Sequence, residues 1–120
     1  MYTVYLADDE QLIREGLAET IPWESLRMRL VGTAEDGRHA LRGIREHKPD
    51  IVLTDIRMPY LDGLELIGKI REVHPSCRVV IISGHGEFTY AQSAIQLGVS
   101  DFILKPVDVT SLCRTLGKLT

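Results

Sequence analysis

The sequence predicts an α/β domain: a parallel sheet with helices on both faces. Three observations predict it. Short β-rich apolar runs alternate with longer amphipathic runs along all 120 residues. Several of the short runs are apolar without interruption, as strands covered on both faces are. Polar residues sit at the C-terminal ends of those runs, where ligands bind in a doubly wound sheet.

The first strand is expected at "TVYLA" (3–7) and the first helix at 10–21, where Leu12, Ile13, Leu17 and Ile21 are spaced for one helical face. A long connection, "PWESLRM" (22–28), follows; its Trp23 is read as a packing residue because of its large apolar area. The second strand is "RLVGTA" (29–34), and the second helix, 38–47, presents Ala40, Leu41 and Ile44. "DIVLTD" (50–55) is the third strand. The third helix, 63–74, uses Leu64, Leu66, Ile67, Ile70 and Val73. "RVVIIS" (78–83) is the fourth strand, and the fourth helix, 88–98, closes on Gly98 as its C′ residue. "DFILK" (101–105) is the fifth strand, and the last helix, 108–119, begins at Asp108 as N-cap. Such β–α alternation implies right-handed crossovers and one parallel sheet.

Composition narrows the function. With 44% hydrophobic and 26% charged residues the chain reads as one folded globular domain spanning 1–120. Its net charge of −3 gives no reason to expect direct contact with nucleic acid. No apolar run of membrane-spanning length occurs, and "MYTVYLADDE" lacks the pattern of a secretory leader, so a cytoplasmic location is expected. Cys77 and Cys113 are too few for a disulfide framework and read as reduced, partly buried thiols. The four histidines show no helical metal-pair spacing, and His39, His47 and His74 read as ordinary surface residues.

The strand ends carry the chemistry. Asp8 and Asp9 end the first strand, Asp55 the third, Ser83 and Gly84 the fourth, Lys105 and Pro106 the fifth. Each has an ordinary explanation alone: a charged helix start, a turn residue, a turn signal, a loop lysine. In a parallel sheet they meet at one edge. Three carboxylates there repel one another unless cations compensate, and Lys105 and a divalent metal can do so. All-oxygen donors with room for water suit Mg²⁺ rather than zinc.

At this point the chain resembles the receiver domain of bacterial two-component response regulators. "LADDE", "PDIVLTDIRMPYLDGLELI", "VVIISG" and "GVSDFILKPVD" stand in that family's order and spacing over essentially the whole chain. The resemblance implies a flavodoxin-like (βα)5 fold with strand order 2-1-3-4-5. It implies that Asp55 is the phosphoacceptor and that Asp8, Asp9 and Asp55, with the Arg57 backbone carbonyl, hold Mg²⁺. It further implies that Lys105 pairs with phosphoryl oxygens, that Ser83 and the Gly84 amide reach for the phosphoryl group, and that Phe102 is the aromatic switch residue. The Lys105–Pro106 peptide is expected to be cis. The implied role is a phosphorylation-activated switch that assists its own phosphotransfer and dephosphorylation without being a turnover enzyme. Its implied partners are a sensor histidine kinase and, on phosphorylation, a second copy of the chain. "SGHGEFTYAQSAIQLGVSDFILKPVD" and "IPWESL" look like receivers fused to AraC-type DNA-binding domains, so DNA contact and transcription control are expected only through a C-terminal domain outside this chain. His85, two residues past Ser83, falls where side chains vary and can affect the access of water in that family; an ordinary surface residue is the alternative reading.

Three other classes compete. A haloacid-dehalogenase-type phosphatase wants a second aspartate two residues after its nucleophile, and that place holds Arg57. Flavodoxin-like electron transfer needs a hydroxyl- and glycine-rich phosphate loop after the first strand, where "ADDEQ" would repel a phosphate. The alternative closest to the family is a receiver-like interaction module without phosphorylation; the acid triad and Lys105 argue against it.

Overall fold

The computed structural model describes residues 1–84 and 88–120, without the side chains of residues 88–91. Strands and helices alternate throughout: β1 (Tyr2–Ala7), α1 (Gln11–Thr20), β2 (Met28–Ala34), α2 (Gly37–His47), β3 (Ile51–Asp55), α3 (Gly63–Val73), β4 (Arg78–Ser83), α4 (Phe88–Gln96), β5 (Asp101–Leu104) and α5 (Val109–Lys118). The strands form one sheet in the order β2-β1-β3-β4-β5, and every neighbouring pair is parallel.

The period-two geometry of the strands divides the core into two layers. Val4, Leu6, Ile51, Leu53, Val80 and Ile82 point to the side covered by α1 and α5, where they meet Leu17, Leu112 and Leu116. Tyr5, Ala7, Val52, Val79 and Ile81 point to the other side, under Ala40 and Ile44 of α2, Leu66, Ile67 and Ile70 of α3, and Ala94 of α4. The central strands are buried on both faces, which is why β3 and β4 read as unbroken apolar runs.

The predicted elements match within two residues at each end, the fraying expected of helix and strand termini. Gly98 takes φ +74 just past α4, a conformation that an L side chain resists. The Asp108 side chain accepts from the Thr110 amide at 3.1 Å. Trp23 is half-buried against the α1/α5 layer, and its indole N–H donates to the Ala18 carbonyl at 3.0 Å. Cys77 is buried, Cys113 half-buried, and both are free thiols. Burial pushes the Cys77 thiol up to about 12.

Two expectations are corrected. Leu12 does not share the buried face of α1; it is 87% exposed. It lies roughly 140° around the helix from Leu17, whereas Ile13 lies about 40° away. His74 is not a plain surface residue, whereas His39 lies on the surface as expected. His74 is half-buried, with Nε2 at 2.8 Å from the Pro49 carbonyl. His39 is exposed but held by Asp36, which caps α2: its carboxylate accepts from the His39 amide at 2.9 Å and contacts Nδ1 at 2.6 Å. Burial raises the Asp36 carboxyl, but these bonds outweigh it and hold it below its ordinary value.

Candidate functional site

In this strand order the chain leaves β1 toward β2 on one side of the sheet and leaves β3 toward β4 on the other. The crevice beyond the C-terminal ends of β1 and β3 is therefore the switch point. Asp8 and Asp9 follow β1 directly, and Asp55 is the last residue of β3. One carboxylate oxygen from each of Asp8, Asp9 and Asp55 lies within 4.8 Å of the others. Asp8 and Asp55 are buried and Asp9 is exposed, so the cluster opens to solvent on one side.

Lys105, the first residue after β5, reaches into the cluster. Its Nζ donates to Asp55 Oδ2 at 3.1 Å and to Glu10 Oε2 at 3.3 Å, and stands 3.5 Å from Asp8 Oδ2. The peptide joining it to Pro106 is cis, as expected. Three carboxylates thus share one ammonium, with Asp9 beside them. Glu10 was legible only as a helix-start charge; its link to a lysine 95 residues away comes from the topology.

The loop between β3 and α3 is folded tightly under the site. The Gly63 amide donates to the Ile56 carbonyl at 2.7 Å, and Tyr60 takes φ +70 in the intervening turn. Asp62 and Glu65 close α3 with a reciprocal capping box. Arg57 is exposed on this loop, and its amide lies 3.4 Å from Asp55 Oδ1. Asp8 supports the neighbouring loop through Oδ1, which accepts from the Glu10 amide at 2.8 Å. Its carbonyl accepts from the Arg14 guanidinium at 2.8 Å.

Ser83 ends β4 fully buried, and its hydroxyl has no hydrogen-bond partner among the described residues. The Ser83 carbonyl accepts from the Lys105 amide at 2.7 Å, tying the ends of β4 and β5 together. Gly84 follows, half-buried. Phe102 lies on β5 opposite Ile81, half-buried against the α2–α4 layer. His85 lies outside the described residues.

The electrostatics follow from crowding. Burial raises the Asp8 carboxyl, and the Glu10 amide and Lys105 only partly offset it. Burial and the Asp8 charge push Asp55 up to about 7 despite its bond to Lys105. Burial alone would lower the Lys105 ammonium, but Asp55, Asp8 and Glu10 outweigh it and hold it well above its ordinary value. Among the described residues, Asp8 Oδ2 is buried with no hydrogen-bond donor and has Lys105 at ion-pair distance. A buried oxygen without a donor, in an all-oxygen cluster with surplus negative charge, fits a hard divalent cation such as Mg²⁺.

An acidic pocket with one ammonium at the switch point of a 2-1-3-4-5 sheet marks an α/β domain whose site suits a hard cation rather than a phosphate-bearing cofactor. Comparison with known proteins gives the family. The response regulator receiver domain matches residues 4–117, and the chain belongs to that family, a component of two-component signalling. It is 44% identical over 119 residues to the transcriptional regulatory protein YesN of Bacillus subtilis and to HptR of Staphylococcus aureus. These alignments cover 99% of this chain but 32% and 46% of those proteins, so the chain spans about a third to a half of the curated relatives it matches. Among solved structures, the REC domain of AraT, a response regulator from Geobacillus stearothermophilus, superposes with a TM-score of 0.94 at 43% identity, over 98% of this chain and 92% of that one. The two-component transcriptional regulator AraC from Clostridium phytofermentans superposes at 0.90 with 32% identity, over 99% and 92%. No described helix is long and apolar enough to cross a membrane.

Proposed function

We propose that this receiver domain is a phosphorylation-driven switch in which Asp55 accepts a phosphoryl group from a phosphohistidine of a sensor kinase. The observation that carries the reading is the shared Lys105 ammonium, bonded to Asp55 inside a pocket with too many carboxylates for it to neutralise. An Asp55 oxygen attacks phosphorus in line as the P–N bond breaks; the electron pair returns to the imidazole, and the phosphoryl group ends as an acyl phosphate. Charge on the equatorial oxygens dominates such a transition state, so positioning and cations supply most of the acceleration. Lys105 is placed to follow those oxygens. Mg²⁺, held by Asp8, Asp9, Asp55 and the Arg57 carbonyl, would supply positive charge to the same oxygens and relieve the carboxylate repulsion.

The Ser83 hydroxyl, unpartnered among the described residues, is a ready donor for the new acceptor oxygens, together with the Gly84 amide. Drawing that loop in leaves space for Phe102 to turn further inward, reshaping the face of α4, β5 and α5. A local charge change thereby biases a two-state element, with a second copy of the chain as a partner for the altered face. Water attacking phosphorus of the acyl phosphate, with Lys105 beside its oxygens, releases inorganic phosphate, restores the Asp55 carboxylate and resets the switch. In the full protein the output is a transcription-regulating domain outside this chain, as the names of YesN and HptR suggest, and any DNA contact belongs to that domain.

Loading from acetyl phosphate tests this reading: intact mass should rise by one phosphoryl group with Mg²⁺ and stay unchanged with EDTA. Kinase transfer adds a second test. An apolar groove of about 270 Å³ beside the pocket, lined by Leu12, Ile13, Leu17, Val107 and Val109, suits the helices of a kinase. Leu12→Glu is expected to slow transfer from the phosphorylated cognate kinase about tenfold or more, by removing an exposed apolar contact and adding a charge. Loading from acetyl phosphate should not change, because Leu12 is outside the pocket; equal slowing of both would contradict this docking.

A further inference from the structure

The outer face of α2 is strongly basic, and the phosphoacceptor reading makes no use of it. Arg38, Arg42 and Arg45 are all exposed and spaced i, i+4, i+7, which stacks them on one face over two helical turns, about 10 Å. With the half-buried Leu41 they line an open groove of about 320 Å³. None of the three arginines is ion-paired among the described residues. Arg38 instead stands 4.0 Å over the ring of Tyr60, which is itself 72% exposed. Like charges at these spacings destabilise a helix, so the arrangement works against α2 on its own account. In a chain of net charge −3, it gathers positive charge where an external anion can neutralise it.

The groove offers more than charge. Leu41 forms an apolar floor between the guanidinium groups, and Tyr60 extends that surface at one end. A nucleic-acid backbone gains little from such a floor, and the domain's net negative charge opposes a long polyanion. A protein helix with acidic residues at matching intervals gains from both parts. We propose that this groove docks an acidic amphipathic helix of a partner protein, its carboxylates meeting Arg38, Arg42 and Arg45 and its apolar residues meeting Leu41 and Tyr60. The contact is independent of whether Asp55 accepts phosphate.

The test uses a fluorescein-labelled helical peptide of about 15 residues, with glutamates on one face at i, i+4, i+7 and leucines between them. Polarisation should show saturable binding that weakens with salt, and backbone amide shifts should map to residues 38–45 and Tyr60. The double variant Arg42→Glu/Arg45→Glu should bind at least tenfold more weakly, and Leu41→Ala several-fold more weakly. A peptide of the same composition with its glutamates scattered round the helix should lose at least tenfold. Unchanged melting of the variants verifies their fold, and Arg42→Gln/Arg45→Gln replaces the reversals if they disturb it. The proposal fails if the scattered peptide binds equally, if the amide shifts lie elsewhere, or if a short DNA duplex binds more tightly through the same arginines.

Discussion

Asp55→Asn is expected to stabilise the metal-free protein at pH 8 while abolishing its loading with phosphate. The stability arm follows from linkage. Asp55 has a folded value near 7 against an ordinary value of 3.8. Between those values the folded chain keeps a proton that the unfolded chain has released, so wild-type stability falls as pH climbs from about 4 to about 7. The penalty is complete above the folded value and absent well below the ordinary one. Lys105 is raised, so its contribution is already full at these pH values and does not vary among them. Asparagine keeps the shape of Asp55 and removes the charge that Asp8 repels. The gain at pH 8 in EDTA should be about 1–3 kcal/mol, shrinking toward pH 5, as read by urea unfolding at both values. Mg²⁺ should close the gap from the other side by stabilising the wild type more than the variant. The loading arm is larger: asparagine has no nucleophilic carboxylate, so acetyl phosphate should leave its mass unchanged. A variant that is less stable at pH 8, or that loads normally, contradicts the assignment.

Gly63→Ala should damage the site's scaffold with a single methyl. A Cβ there would lie 2.5 Å from the Asp55 carbonyl oxygen and 2.7 Å from Ile56 Cα, both backbone atoms that cannot rotate away. The β3–α3 loop must shift, and with it the segment that carries Asp55 and Arg57. Overpacking of this kind costs about 2–4 kcal/mol, and the displaced carboxylate should load at least tenfold more slowly. Gly68 is the control on the same helix. Nothing lies within 4 Å of a Cβ at that position, so Gly68→Ala should stabilise by about 0.5–1 kcal/mol and load normally. Equal effects at the two positions would mean that the close approach under Asp55 does not position it.

Much of this architecture was written in the residue pattern. Unbroken apolar strands, helical periodicity between them and polar residues at strand ends sufficed to place Asp8, Asp9, Asp55 and Lys105 on one edge, because a parallel sheet gathers all its C-terminal ends together. Binary pattern was less informative at margins. Leu12 counts as apolar in any helical template, yet its angle puts it outside the core. The caps supplied by Asp36 and Asp62 have clear sequence signals, an acid just before a helix and an Asp-x-x-Glu spacing, that the helix boundaries alone did not draw out. The sharing of Lys105 among Asp55, Asp8 and Glu10 depends on side-chain reach across the pocket, which no local pattern encodes. The orphaned Ser83 hydroxyl is equally invisible in sequence, since only the packed structure shows that no other described residue bonds it.

The central claim is that the crowded pocket exists so that one carboxylate can take a phosphoryl group. Borohydride reduction tests it directly, because it converts an aspartyl phosphate into homoserine at the residue that carried it. After incubation with acetyl phosphate and Mg²⁺, peptide mapping should find homoserine at position 55 alone, and none in EDTA. Homoserine at position 8 or 9, a phosphorylated histidine, or an unmodified chain would contradict it.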